Sequence, residues 1–402
     1  MLRTPLILFL APLTTHAQTL YEALSKQPTL SNFTAFYQSN SAFASALFAN
    51  KSNYPVTFLA PNDDAFASYQ NATGTPLTDL PPETLLELVQ YHTLVTNLSA
   101  ENFTKSGAAG FTTPTLLTGE AHNNRSVGAA LASKYGGPGR ASGQVVFIKN
   151  ADSGSSKARR FWLSTRQDGG AQNTVRSGLS SNVLITPLDD SEGTWEGGRF
   201  HIVDGLLTPP EMCSDTIRNA KLTGLDNALN RSGLWTALDS SKNVTCLGPN
   251  NKAFGDAGSP DAKLNETELA GALLFHTLPE VAYSDFLEDG QEFTSLQNGT
   301  VRVRVEGEGK ERQIWFNNAK VVDANVLTHN GLMHVLDAVM VPLEQMNATT
   351  SATPSGTSSA TASPTSSTSP SPAATCEFRD GVEKGKGGGE AATSYRLQEG
   401  RM

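Results

Sequence analysis

Two stretches of the chain place a histidine three residues ahead of an aspartate. They are "GRFHIVDGLLTPP" at 198–210 and "GLMHVLDAVMVP" at 331–342. A His–Asp pair can activate a hydroxyl nucleophile or carry a proton. His201 with Asp204 and His334 with Asp337 are therefore the first candidates for chemistry. Two more histidines, His92 and His276, close similar apolar segments. Asp63 and Asp64 form an adjacent acid pair, and Asp189 and Asp190 another. The three cysteines are Cys213, Cys246 and Cys376, and their spacing is not that of a zinc site. The chain has no H-E-x-x-H, no G-x-S-x-G, no P-loop and no G-x-G-x-x-G.

The elements that must carry these residues argue against chemistry. In "GRFHIVDG", Phe200 and Ile202 alternate with His201 and Val203, the pattern of a strand covered on both faces. Residues i and i+3 of a strand face opposite sides, so the Asp cannot meet the His three before it. Asp204, followed by Gly205, reads as a turn residue, and Pro209 and Pro342 mark where each unit ends. Leu85, Leu88, Val89 and His92 fall at i, i+3, i+4 and i+7, as do Leu269, Ala272, Leu273 and His276. Each of these histidines ends the apolar stripe of a helix and points inward. "VTFLAP" (56–61) reads as a strand ended by Pro61. Asn62 caps the helix that follows, and the dipole of its first turn accounts for Asp63 and Asp64. Phe66 and Phe254 read as core anchors. Asp189 and Asp190 read as turn acids. "VRVRVEGEGKERQIWF" reads as a hairpin with balanced charge.

The same three motifs appear twice, in the same order. "VTFLAPNDDAF" (56–66) returns as "VTCLGPNNKAF" (244–254), and "ETLLELVQYHTLV" (83–95) as "TELAGALLFHTLP" (267–279); the His–Asp stretch is the third. This is a tandem duplication. The pattern resembles the fasciclin (FAS1) domain of fungal type. "VTFLAPNDDAF" is similar to the family's first conserved block and the His–Asp stretches to its second. Tyr91-His92 and Phe275-His276 match its central Tyr-His element, with Phe in place of Tyr in the second copy.

The resemblance covers about 20–345. It implies an α+β fold of two tandem FAS1-like domains, each a β-sandwich or wedge with packed helices. It also implies adhesion at a cell surface or matrix, with Tyr91, His92, Phe275 and His276 as candidate binding residues. The residues themselves favour core roles for all four.

The copies differ in length. His92 and His201 are 109 residues apart, whereas His276 and His334 are 58 apart, so the first copy carries 51 more. "SKYGGPGRASGQ", "DSGSSKARR" and "RQDGGAQN" read as slack, enlarged hairpin loops between strands such as "QVVFIKN" and "RFWLST". The domain reading is a signal peptide at 1–17, a first domain at 18–210 with enlarged loops over about 105–195, and a second domain at 211–345. A Ser/Thr/Pro-rich stalk follows at 346–376, then a disordered tail at 377–402.

The N-terminus has Arg3, an apolar run Leu6–Leu13 and small residues before a cleavage point after Ala17, the pattern of a secretory leader. Asn-x-Ser/Thr occurs at Asn32, Asn71, Asn97, Asn102, Asn124, Asn230, Asn243, Asn265, Asn298 and Asn347, about twice the chance frequency. Residues 347–375 contain only Asn, Ala, Thr, Ser, Pro and Gly, as in an O-glycosylated stalk. The segment 376–402 is charged and Gly-rich and carries no lipid-anchor signal, so an anchored form calls for an apolar tail after about residue 375. An oxidising compartment allows Cys213 and Cys246, which flank one helical segment, to pair, leaving Cys376 odd.

With a net charge of −9, a nucleic-acid surface is disfavoured. The expectation is a non-enzymatic, secreted or cell-surface adhesion glycoprotein with no cofactor and no catalytic or metal residues. Its partners are cell-surface or matrix proteins or glycans, and it has no transmembrane helix. A vacuolar glycoprotein acting in membrane fusion or turnover is the alternative. A wall-polysaccharide binder or hydrolase is the remote one.

Overall fold

The structure is a computed structural model, and it describes residues 18–40, 47–105, 110–151, 172–178 and 182–350. The leader, the strand-like "RFWLST" and the segment from residue 351 onward lie outside the described residues. All the described residues fall in one compact unit.

The first copy has eight strands: β1 Val56–Pro61, β2 Thr93–Leu94, β3 Phe111–Pro114, β4 Val145–Ala151, β5 Gln172–Arg176, β6 Asn182–Thr186, β7 Thr194–Trp195 and β8 Gly198–Val203. Their order in the sheet is β2-β1-β8-β6-β5-β4-β3, with β7 also paired to β8. The second copy has β9 Val244–Pro249, β10 Thr277–Leu278, β11 Glu292–Thr294, β12 Thr300–Glu306, β13 Gln313–Phe316, β14 Ala319–Thr328 and β15 Gly331–Leu336. Their order, β10-β9-β15-β14-β13-β12-β11, repeats that of the first sheet.

At the centre of each sheet the two duplicated motifs lie side by side as a parallel pair. Val56–Pro61 runs along Gly198–Val203 in the first copy, and Val244–Pro249 along Gly331–Leu336 in the second. The other pairings are antiparallel.

The expected wedge is a single sheet curled almost onto itself. Val95 N donates to Pro114 O at 3.0 Å and Leu116 N to Thr93 O at 2.9 Å, which joins β2 to the end of β3. Leu296 N donates to Thr277 O at 2.8 Å at the equivalent place in the second copy.

The central strands are buried on both faces, as their sequence implied. Phe58, Ala60, Phe200 and Ile202 pack under the helices with Leu85, Leu88 and Val89, while Leu59 and Val203 face the inside of the curl with Tyr91, Val146 and Val175. Val244, Cys246, Met333 and Val335 face the helices in the second copy, and Leu247 and Leu336 face the curl. The helix starts are capped as read: Asn62 Oδ1 accepts from Ala65 N at 2.9 Å and Asn250 Oδ1 from Ala253 N at 2.8 Å. Asp63 does more than sit in a first turn. Its carboxylate accepts from Asn32 N at 2.8 Å and Ser31 Oγ at 2.7 Å, so it also fastens the start of the helix Ser31–Ser39. Phe66 is partly buried and Phe254 buried, both against the helix-side cores. The helix Leu343–Thr350 includes the first residues of the expected stalk.

Of the extra length in the first copy, "DSGSSKARR" and most of "RQDGGAQN" lie outside the described residues, and the β3–β4 connection is not slack. It contains the helix Ala129–Lys134 and lies against the second copy. Leu131, Ala141 and Val145 pack with Tyr283, Leu327 and Leu332. Asn124 N donates to His329 O at 2.8 Å, and Ser126 N to Asn243 Oδ1 at 2.7 Å. Asp285 accepts from Thr112 N and Oγ1 at 2.8 and 2.6 Å, and Arg176 grips Asp323 at 2.7 and 3.2 Å. Sequence composition reads Gly and Ser as slack, but here the connection's apolar residues find a partner surface in the other domain.

Gly198 and Gly331 begin the second strand of each parallel pair. A Cβ on Gly198 would lie 2.0 Å from Val56 O, and one on Gly331 would lie 1.9 Å from Val244 O. Both contacts are with backbone that cannot move without opening the central pairing. Gly198→Ala or Gly331→Ala should therefore cost about 2–4 kcal/mol. Urea unfolding of the full chain measures this, and wild-type stability in both variants would contradict the close approach.

Candidate functional site

The four motif histidines are placed by the strands and helices just described, and each is buried. His92 Nδ1 lies 2.7 Å from Leu59 O, and its Nε2 accepts from Leu207 N at 2.9 Å. His276 Nδ1 lies 2.8 Å from Ala272 O, and its Nε2 accepts from Met340 N at 2.8 Å. His201 Nε2 lies 2.8 Å from Leu98 O, with Nδ1 accepting from Leu188 N at 3.0 Å. His334 Nε2 lies 2.8 Å from Ala282 O, with Nδ1 accepting from Asn325 N at 3.4 Å.

A ring that accepts an N–H at one nitrogen and faces a carbonyl at the other must be the neutral tautomer, donating to that carbonyl. Burial pushes all four imidazoles down to about 4, against the opposing pull of the carbonyl each one faces.

The His–Asp pairs do not form. Asp204 Oδ1 accepts from Leu184 N at 2.8 Å, and Asp337 Oδ1 from Lys320 N at 2.8 Å. Their own N–H groups donate to Leu184 O and Lys320 O. Each aspartate therefore extends the ladder to the neighbouring strand, and Asp204 does so from the bend it forms with Gly205.

Tyr91 and Phe275 also point into the cores. The Tyr91 hydroxyl lies 3.0 Å from Val145 O and 2.9 Å from Ser177 O. Both carbonyls belong to the segment that is longer in the first copy. Phe275 has no such carbonyls to serve and lies against Gly299, where a Cβ would come 2.7 Å from its ring. The Tyr-to-Phe difference thus follows from the difference between the two sheets. None of the four candidate binding residues, Tyr91, His92, Phe275 and His276, is exposed.

Cys213 and Cys246 are brought together as expected. In this structure, however, they are two buried free thiols with no disulfide between them. The hydrogen bond with Cys246, followed by burial, pushes the Cys213 thiol up. Among the described residues no group of His, Cys, Asp and Glu could hold a metal ion, and no helix is long and apolar enough to cross a membrane.

The hairpin read in "VRVRVEGEGKERQIWF" is β12 and β13. On its outer face the Arg304 guanidinium stacks 4.1 Å from the centre of the Trp315 ring and bonds Glu306 at 2.6 Å. Arg302 faces Glu292 at 3.7 Å, so the charges pair off as read.

The surface is where the sequons lie. Asn32, Asn71, Asn97, Asn102, Asn230, Asn265 and Asn298 are exposed, and Asn124 and Asn243 are half-buried at the seam between the copies. Asn347 has no described side chain. Sequence reading missed Asn50-Lys51-Ser52, which is exposed and has the same three-residue signature.

Comparison with known proteins now decides the family. The family model for the Fasciclin domain matches residues 13–131 and 220–342. The chain belongs to the fasciclin family. It is 27% identical over 190 residues to the fasciclin-like arabinogalactan protein CTB11 of Cercospora beticola, covering 47% of this chain and about half (49%) of that protein. It is 25% identical over 342 residues to the fasciclin-like arabinogalactan protein elcF of Phaeosphaeria nodorum, covering 84% of this chain and 92% of that one. A solved FAS1 domain pair from the insect cell adhesion molecule fasciclin I aligns with 79% of the chain and 98% of its own, at 15% identity and a TM-score of 0.35.

The four neutral imidazoles give this fasciclin pair a definite acid response. Each ring has a folded pKa below its unfolded value of about 6.5, so the unfolded chain binds more protons below that pH. The stability from each is complete above pH 6.5 and is lost as the pH falls toward 4. It amounts to something on the order of 3 kcal/mol per ring. Urea midpoints should begin to fall near pH 6.5, before most carboxylates titrate. A profile flat down to pH 5 would contradict the neutral, doubly bonded rings.

Proposed function

We propose that this chain is a secreted or cell-surface glycoprotein of the adhesion type, acting through its surface and not through a catalytic centre. The observation that carries this reading is the exposure of the sequon asparagines on both copies, while the motif histidines and Tyr91 are committed to the core. Glycans at those positions would cover both domains without disturbing either sheet. The secretory pattern at 1–17 and the Ser/Thr/Pro composition of 347–375 support the same address. Partners are cell-surface or matrix proteins or glycans, met by exposed side chains and sugars.

Deletion of the gene should reduce cell attachment and aggregation, and a copy restored in the same cells should recover both. Unchanged attachment in the deletion strain would sink the adhesion reading. A tag placed within 347–375 should label the wall or the medium; label in the vacuole would favour a role in membrane traffic instead.

Glycosylation should follow exposure. Asn243 Oδ1 is bonded to Ser126 N across the seam, and Asn124 is half-buried there, so both are less accessible to a glycan than the exposed sequons. Glycopeptide mass spectrometry of secreted protein should find occupancy among the exposed sites, Asn50 included, and none at Asn124 or Asn243. Full occupancy at Asn243 would contradict the packed seam.

Cys213 and Cys246 need only a disulfide donor of the secretory pathway to take up two electrons and two protons as the S–S bond forms. The bridge would restrain the second domain by about 3 kcal/mol and leave the first largely untouched. Peptide mapping under non-reducing conditions tests this, and two free thiols in secreted protein would refute it.

A further inference from the structure

The chain contains two Asn-Gly pairs, Asn298-Gly299 and Asn330-Gly331, and the structure gives them opposite surroundings. Asn330 is fully buried. Its Nδ2 donates to Leu238 O at 2.9 Å and Ser241 O at 2.7 Å, and its Oδ1 accepts from Thr328 Oγ1 at 3.1 Å. Asn298 lies in the turn between β11 and β12 and is exposed, and its side chain bonds no other described residue. Its backbone has a φ of 63°, a left-handed conformation that Asn tolerates. Gly299 N donates to Ser295 Oγ at 3.1 Å.

Such a pair can react with itself. Gly has no Cβ to shield its nitrogen. When that nitrogen gives its proton to a solvent base, its electron pair attacks Cγ of the preceding Asn. The new C–N bond closes a succinimide ring, and the amide nitrogen takes a proton from water and leaves as ammonia. Water then opens the ring at one of its two carbonyls. Opening at Cγ gives aspartate in a normal chain; opening at the backbone carbonyl gives isoaspartate, whose chain runs through Cβ and Cγ. The first step needs a side chain free to swing onto the next nitrogen. Asn298 has that freedom and Asn330 does not. Asn298 also opens a sequon that ends at Thr300. A glycan there would sit on the very nitrogen that has to leave, so ammonia could no longer be expelled.

We propose that Asn298-Gly299 is a site of spontaneous deamidation and isomerisation, and that the glycan of its sequon guards it. The guard rests on the glycoprotein reading above; the reaction does not. The place is a sensitive one. In the same turn Leu296 N closes the second sheet on Thr277 O at 2.8 Å, and Ser295 N donates to Gly299 O at 2.9 Å. Gly299 is pressed against Phe275, where even a Cβ would come 2.7 Å from the ring. Isoaspartate puts an extra carbon into the backbone in the middle of these contacts, so the aged chain loses the closure of its second sheet.

Thr300→Val tests this. It removes the sequon, keeps the Asn-Gly pair, and replaces one exposed β-branched strand residue by another. Full-length secreted protein, shown by circular dichroism to be folded, is held in mildly alkaline buffer. Peptides and intact glycopeptides are then mapped by mass spectrometry, with isoaspartate read by enzymatic methyl transfer. In the variant, Asn298 should convert roughly tenfold or more faster than Asn330, which must first open locally. Wild type made with N-glycosylation blocked gives the same reading if the variant does not fold. In glycosylated wild type, Asn298 bearing its glycan should stay intact, and any bare fraction should age at the variant's rate. The isoaspartate form should unfold at lower urea than fresh protein. Equal conversion of Asn298 and Asn330 in folded protein would overturn the site. No glycan at Asn298, or equal ageing of glycan-bearing and bare chains, would overturn the guard. An isoaspartate form as stable as fresh protein would overturn the link to sheet closure.

Discussion

Everything in each domain depends on a pair of distant segments, laid side by side in parallel and cross-braced by neutral imidazole. A parallel pair offers no tight turn to hold its register, so the register must be fixed by other means. Here a histidine at the end of the helix Pro82–Tyr91 receives the N–H of Leu207, just beyond β8, and donates to Leu59 of β1. A second histidine, on β8 itself, ties Leu98 and Leu188 together. The thread continues through Thr57, whose hydroxyl donates to Thr96 O and accepts from Leu98 N; Thr245 does the same with Glu280 and Ala282. Such bonds fail together if one segment slips, which explains why the same residue types stand at the same places in both copies.

Much of this was legible in the chain. Period-two alternation identified β8 and β15, the i, i+3, i+4, i+7 stripe identified the helices that deliver His92 and His276, and Pro-Asn marked where β1 and β9 give way to helices. Geometry along a strand was enough to reject the His–Asp pair. Other features were not legible because they depend on partners far away in sequence. Asp204 reads only as a turn residue until Leu184 is seen to bond it, and nothing near Tyr91 in the chain announces Val145 or Ser177. The Gly-rich character of the β3–β4 connection hid the contacts that Leu131, Ala141 and Val145 make with the second domain.

The two copies have diverged where they meet. Leu131 and Ala141 lie in the segment that is longer in the first copy, and Tyr283, against which they pack, corresponds in the alignment of the two copies to Ser99 of the first. The cores keep the shared pattern, while the seam uses residues that neither copy could have inherited as a pair.

The curl of each sheet has a further consequence for how the molecule can join others. A flat sheet ends in a row of unpaired N–H and C=O groups that recruits strands from any neighbour. Here Val95 and Leu116 close the first sheet on β3, and Leu296 closes the second on β10. At those points the backbone groups are used internally, which leaves less of the rim for a neighbouring chain to pair with. Contacts there are left to side chains, which can be selective and reversible.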